Sequence, residues 1–175
     1  YAHIPADVVI CRHVIEHVQN PVQLLKNIHK ALRNRKDALV FFETPNVEWI
    51  FNNSVIFDFF YEHCSYFNKN SIANVFEKSG FKIHNIDYEF CGQYMWIAAR
   101  VKDEECHILN KVTGVSNIIN RAKMFAYKEK KVIDGWKGKI ASLLSDNVKV
   151  ALWGAGAKGA TFANLIDPSA KLIDC

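Results

Sequence analysis

The chain has 175 residues, half of them hydrophobic and 23% charged, and its 22 Lys and Arg against 18 Asp and Glu give a net charge of +4 at pH 7. That is a globular balance, and it excludes a disordered segment or a binder held mainly by charge. No apolar run approaches the ~20 residues needed to span a bilayer, and no basic-then-apolar leader opens the chain.

The five cysteines, Cys11, Cys64, Cys91, Cys106 and Cys175, include no C-x-x-C pair. Their number and spacing argue against a disulfide framework and against a structural zinc site, so no metal is expected. This points to a reduced, cytoplasmic protein. Lysines gather between Arg121 and Lys139 without a known nucleic-acid module, so they read as a solvated helix face and no nucleic-acid partner is expected.

Asp7–Cys11 is a short β-branched run, as expected of a strand buried on both faces. Asn20-Pro21 supplies an N-cap and a first-turn proline for a helix over 21–34, whose apolar positions step by three or four. Ala38–Phe42 reads as a second buried strand, stopped by Thr44-Pro45. Strand, helix and strand at this spacing predict a parallel βαβ unit. Residues 46–68 form a long aromatic connection of the kind that often serves as a lid. A short helix around Ile72–Phe76 ends at Gly80, and strands at 81–89 and 93–100 are linked too closely to pair other than antiparallel. Residues 102–146 look helical, with Gly135 and Gly138 expected to loosen the second half. A strand Val148–Trp153, a glycine-rich turn, a helix to about Ile166 and a strand 171–174 then predict one βαβ of a new domain.

Two Glu-His dipeptides stand out. Glu16-His17 comes just after the first strand and Glu62-His63 lies in the connection after the second. If those strands are neighbours, both dipeptides sit at the carboxyl edge of the sheet, where open α/β folds bind ligands. Histidine is the usual general base near neutral pH, and Tyr61, beside Glu62, is a further candidate. Alternatively, His17 caps the next helix and His63 is a partly buried loop residue. Gly154-x-Gly156-x-x-Gly159 after a strand and before a helix is the context of a phosphate-binding turn, to which Lys158 adds positive charge. The acid that would bind a ribose about 20 residues on has one match, Asp174. The same glycines also suit a plain tight turn.

These residues carry a resemblance. Cys11-Arg-His-Val-Ile-Glu-His17 with Asn-Pro after it, and Tyr61-Glu-His-Cys-Ser-Tyr-Phe67 with Gly80-Phe81 after it, resemble segments of class I S-adenosylmethionine-dependent methyltransferases, in particular the nucleotide-sugar C-methyltransferase family. Gly92-Gln-Tyr94 through Arg100 resembles that family's final hairpin, and Trp153-Gly-Ala-Gly-Ala-Lys-Gly159 the opening of its Rossmann-like C-terminal domain. Well-studied members read Tyr-His-Glu-His, whereas here the tyrosine stands directly before Glu62.

The resemblance implies an α/β fold: the C-terminal half of a Rossmann-like methyltransferase sheet (1–101), a helical linker (102–146), and the start of a second Rossmann-like domain (147–175). It implies S-adenosylmethionine as cofactor, with Cys11, Arg12 and His13 at its methionine end, and a small-molecule substrate, a keto nucleotide sugar. His63 is then the base that removes the α-proton, with Glu62, His17 and Tyr61 beside it, and the enolate attacks the sulfonium methyl. Gly154, Gly156, Lys158 and Gly159 would meet the nucleotide. The family's cofactor loop and zinc module belong before Tyr1, so a fragment inactive by itself is expected. Two other readings stay open: an NAD- or nucleotide-binding module without methyl transfer, and a non-catalytic assembly piece.

Overall fold

A computed structural model describes residues 6–35, 37–102 and 115–173. The chain divides into two compact units, residues 1–49 with 62–115 and residues 50–61 with 116–175. In the first unit, β1 (Val8–Arg12) leads to α1 (Pro21–Leu32) and β2 (Leu39–Pro45). The short α2 (Val47–Asn53) carries the chain into the second unit, and on its return come α3 (Lys69–Lys78), β3 (Phe81–Glu89) and β4 (Tyr94–Val101). The four strands form one sheet in the order β1-β2-β4-β3. β1 and β2 run parallel, while β4 is antiparallel to both of its neighbours. The expected α/β architecture with a closing antiparallel hairpin is the one observed.

Local chemistry explains the helix starts. The Asn20 side chain accepts the Gln23 backbone N–H at 2.9 Å, with Pro21 in the first turn. Asn68 and Ser71 form a reciprocal capping box at α3. Leu25 of α1 and Ile72 and Phe76 of α3 then enter a core with Val40, Phe42, Phe81, Met95 and Ile97. The ring of Phe76 meets Phe42 edge-on at 5.3 Å and Phe81 at 5.8 Å. Burying each such side chain contributes roughly 1.5–3 kcal/mol.

Several expectations are corrected. β1 is not covered on both sides: Val9 and Cys11 face the core, whereas Ile10 is 63% exposed and Val8 is exposed beside it. The strand alternation puts one face of β1 on the shared core and leaves the other to solvent. β2 is not stopped by Thr44-Pro45 but pairs through them, Thr44 with Met95 and Pro45 with Tyr94. The connection after β2 is not plain loop, since it contains α2 and a 3-10 turn at Ile56–Asp58.

In the second unit, α4 (Val115–Ser145) is one unbroken helix. A Cβ on Gly135 or Gly138 would meet open space, and neither glycine interrupts it. The expected helix over 103–114 lies outside the described residues. Phe51 and Phe59 gather on Phe125, with ring centroids 5.1–5.9 Å apart. α5 (Ala157–Ile166) forms as expected, but its flanking strands do not. Within Val148–Trp153 only Ala151 makes a bridge, and Trp153 is 100% exposed. The backbone N–H groups of Lys171, Leu172 and Ile173 bond to the Asp167 carboxylate rather than to a ladder. Desolvation raises the Asp167 pKa, but these donors and Ser169 outweigh it and hold the group below the ordinary carboxylate value. The remaining residue of that expected strand, Asp174, is outside the described residues. No helix among the described residues is long and apolar enough to cross a membrane.

Gly80 ends α3 at φ +89°, and a Cβ there would lie 2.8 Å from the His29 ring. Gly80→Ala combines left-handed strain with that clash, and should lower unfolding free energy by about 1–3 kcal/mol in a urea titration. Cys11, on the inner face of β1, has its thiol pushed up from 9.0 to about 11, mainly by burial and secondarily by the charge of Glu16. A raised thiol stays neutral in the folded chain at pH values where the unfolded chain already ionises, so this group's stabilisation is complete below 9 and is lost towards 11. At pH 8 its thiolate population is roughly 100-fold below that of an ordinary thiol. Iodoacetamide labelling read by mass spectrometry should therefore modify exposed Cys64 and Cys91 and spare Cys11 until the chain is unfolded or the pH approaches 11.

Candidate functional site at the carboxyl edge of the sheet

The parallel register sets Arg12, the last residue of β1, beside Glu43, two residues before the end of β2 at Pro45. Each strand then hands on to a segment that crosses this edge. After β1, His13 turns left-handed at φ 51°, its N–H donating to the Glu43 carbonyl at 3.0 Å, and a 3-10 turn comes next at Ile15–His17. After β2, the chain returns to the edge at Glu62–Ser65, where four hydrogen bonds fasten it. The Glu16 carbonyl accepts N–H groups from Cys64 at 2.8 Å and Ser65 at 3.1 Å, and the Cys64 thiol donates to the His17 carbonyl at 3.3 Å. His17 Nδ1 lies 3.0 Å from the Glu62 carbonyl oxygen. That oxygen can only accept, so Nδ1 carries the proton and Nε2 of the neutral ring keeps its lone pair.

These bonds bring together the histidines expected to share a site. The rings of His17 and His63 stand edge to face with centroids 4.7 Å apart, and His63 also packs on Tyr66 at 5.4 Å. His17 does not cap the next helix, a role taken by Asn20. Tyr61 is not part of the cluster, since its side chain is 92% exposed.

Beside the two rings is a charged network that sequence reasoning largely missed. Glu16 and Glu43 are both buried carboxylates. Glu43 Oε1 accepts from Arg12 Nη2 at 3.0 Å and lies 2.7 Å from His13 Nε2. Glu16 Oε2 accepts from the Thr44 hydroxyl at 3.2 Å, and its Oε1 lies 3.4 Å from His13 Nδ1 without a hydrogen bond between them. His13 thus sits between two carboxylates, with Tyr94 against its ring at 4.9 Å. The signal for Glu43 was present in the sequence, as a lone acid closing an otherwise apolar strand. The Arg12 side chain remains 56% exposed, and Cys11 faces the core. Arg12 therefore offers a solvent-reachable donor at the strand tip, a fit to the carboxylate of a bound amino acid, whereas both ring nitrogens of His13 face the acids Glu43 and Glu16.

The glycine turn belongs to the second unit. Gly154 has φ +91°, which favours glycine, and a Cβ on Gly159 would run into the Gly154 carbonyl oxygen. Two of the three glycines are thus demanded by the turn itself. Gly156, the N-cap of α5, has an ordinary φ of −69° and open space where a Cβ would stand. No side chain caps that helix start. Lys158 is not a spare charge, since its ammonium lies 2.7 Å from Asp58. A cavity of about 440 Å³ opens beside the turn, walled by Phe57, Trp136, Leu152 and Phe162, with Gly154 and Lys158 at its margin.

Residues 2–86 match the family model of a methyltransferase domain. No curated protein sequence matches the chain. Among solved structures it is similar to N,N-8-amino-8-demethyl-D-riboflavin dimethyltransferase (RosA) from Streptomyces davawensis, at 18% identity and a TM-score of 0.46. That alignment covers 57% of this chain and 32% of the other, so the chain spans about a third of the relative's length. The first unit is thus similar in sequence to methyltransferase domains, which in the class I kind take their methyl group from S-adenosylmethionine.

Proposed function

We propose that the chain carries the acceptor-side site of an S-adenosylmethionine-dependent methyltransferase that methylates carbon beside the ketone of a nucleotide sugar. The observation that supports this most is the meeting of His17 and His63, from connections after two neighbouring parallel strands, at the sheet edge where α/β folds bind ligands. S-adenosylmethionine, when bound, supplies an electrophilic methyl group on a sulfonium. Arg12 would hold its amino-acid end, with His13 fixed beside it by Glu43. His63 takes the α-proton of the sugar, and the neighbouring His17 shares the oxygen-bearing side of the acceptor. Glu62 contributes through its carbonyl, which orients the His17 ring. The exposed phenol of Tyr61 has no part in this reading.

The cavity beside the Gly154 turn suits the nucleotide portion of the substrate. Its walls are apolar and aromatic, and Gly156 is a glycine without a folding reason at a helix start that favours anions.

The test uses the longest polypeptide encoded by the reading frame that contains this chain. Given S-adenosylmethionine and a keto nucleotide sugar, it should transfer methyl to carbon. His63→Ala should slow that transfer ~10²–10⁴-fold, with cofactor affinity unchanged. The cofactor-independent step is read separately, as washout of the sugar's α-hydrogen in heavy water; washout at the wild-type rate in His63→Ala removes the histidine base. For the second unit, Gly156→Ala should weaken calorimetric binding of a nucleoside diphosphate at least ~10-fold at unchanged melting temperature. Gly159→Ala, by contrast, should lower the melting temperature.

A further inference from the structure

Glu16, His17 and His63 each present one donor atom, and the three atoms lie within 4.8 Å of one another. We propose that these residues bind a divalent transition-metal ion of the zinc type. Two imidazoles and one carboxylate are a donor set that zinc accepts with a position left open, and one that magnesium and calcium do not favour. The expectation of no metal rested on cysteine spacing, and this set uses no cysteine.

Two further observations point to a cation. Glu16 is 1% exposed, and its Oε1 faces the His13 ring at 3.4 Å but receives no hydrogen bond among the described residues, while Oε2 is already served by Thr44. A carboxylate oxygen buried in that condition is costly unless a cation reaches it. His17 gives its Nδ1 proton to the Glu62 carbonyl, which fixes the tautomer and leaves the Nε2 lone pair for an ion. Donors around a tetrahedral zinc stand about 3.3 Å apart, so each of the three need move roughly 1 Å towards their centre. His17 is an exposed side chain and can make that adjustment.

The site stands independently of the methyl-transfer reading, and it competes with it. A nitrogen that ligates zinc cannot take a proton, so a loaded site silences His63 as a base. The test therefore reads binding and not turnover. The 175-residue chain, stripped with a chelator, is titrated with Zn²⁺ against a chromophoric competitor and with Co²⁺ by visible absorption. One ion per chain is expected, unaffected by excess Mg²⁺. Glu16→Gln, His17→Ala and His63→Ala should each weaken it at least ~10-fold, and His84→Ala, an exposed histidine of β3, should not. If a variant fails to fold, the imidazole ¹⁵N resonances of wild-type His17 and His63 give the same answer, shifting with Zn²⁺ and not with Mg²⁺. Zinc binding undiminished in the three variants, unshifted imidazole resonances, or no saturable binding below about 1 mM overturns the site.

Discussion

The candidate site depends on the carbonyl of Glu16 accepting two backbone N–H groups from the far end of the aromatic connection. Around that pair, the His17 ring and the Cys64 thiol each reach a carbonyl on the opposite segment. The result is a four-bond fastening between residues nearly fifty positions apart. Each such bond is modest by itself, about 0.5–1.5 kcal/mol net, but all four close the same loop, whose ordering entropy is met once. Without this fastening, His63 would ride on a long surface connection, and its distance from His17 would be undefined.

The fastening in turn needs a common edge. β1 and β2 pair parallel from Val8–Leu39 to Arg12–Glu43, so both strands lead out at the same edge of the sheet. At that edge the side chains form a dense group of charges in which both buried carboxylates have at least one partner. Glu43 holds Arg12 and His13, and Glu16 holds Thr44 and faces His13. Buried charges are tolerated only under such pairing. The left-handed turn at His13 is part of the same device: it swings the imidazole back between the two acids while its backbone N–H remains bonded to β2. Backbone strain held by surrounding bonds in this way is common where side chains must be aimed.

Much of the first unit was legible in the sequence because its signals are local. The Asn20-Pro21 cap, the Gly80 stop and the short link between β3 and β4 each act within a few residues of the element they bound. The neighbourhood of His17 and His63 was legible only through topology, since a parallel βαβ unit places the segments after both strands at one edge. The charged network was not legible. Nothing in the spacing of Arg12, His13, Glu16, Glu43 and Thr44 declares their partners, which the strand register decides. Nor was the fate of Val148–Trp153 readable: a β-branched run becomes a strand only where a partner supplies hydrogen bonds, and here Ala151 alone finds one. At 171–173 the competing acceptor was a nearby carboxylate, an outcome that propensity does not register.

The way the aromatic connection is anchored bears on how proteins of this design can diverge. Its departure is tied at Asn46, whose N–H donates to the Gln93 carbonyl, and its arrival at Cys64 and Ser65, both on Glu16. Residues added between those two ties lengthen a loop that is already closed, at a penalty that grows only with the logarithm of its length. Residues added between Glu62 and Phe67 would instead slide the histidine out of its frame. Drift in length should therefore accumulate in the first stretch and be purged from the second, so that the aromatic connection can be remodelled while the imidazole pair stays put.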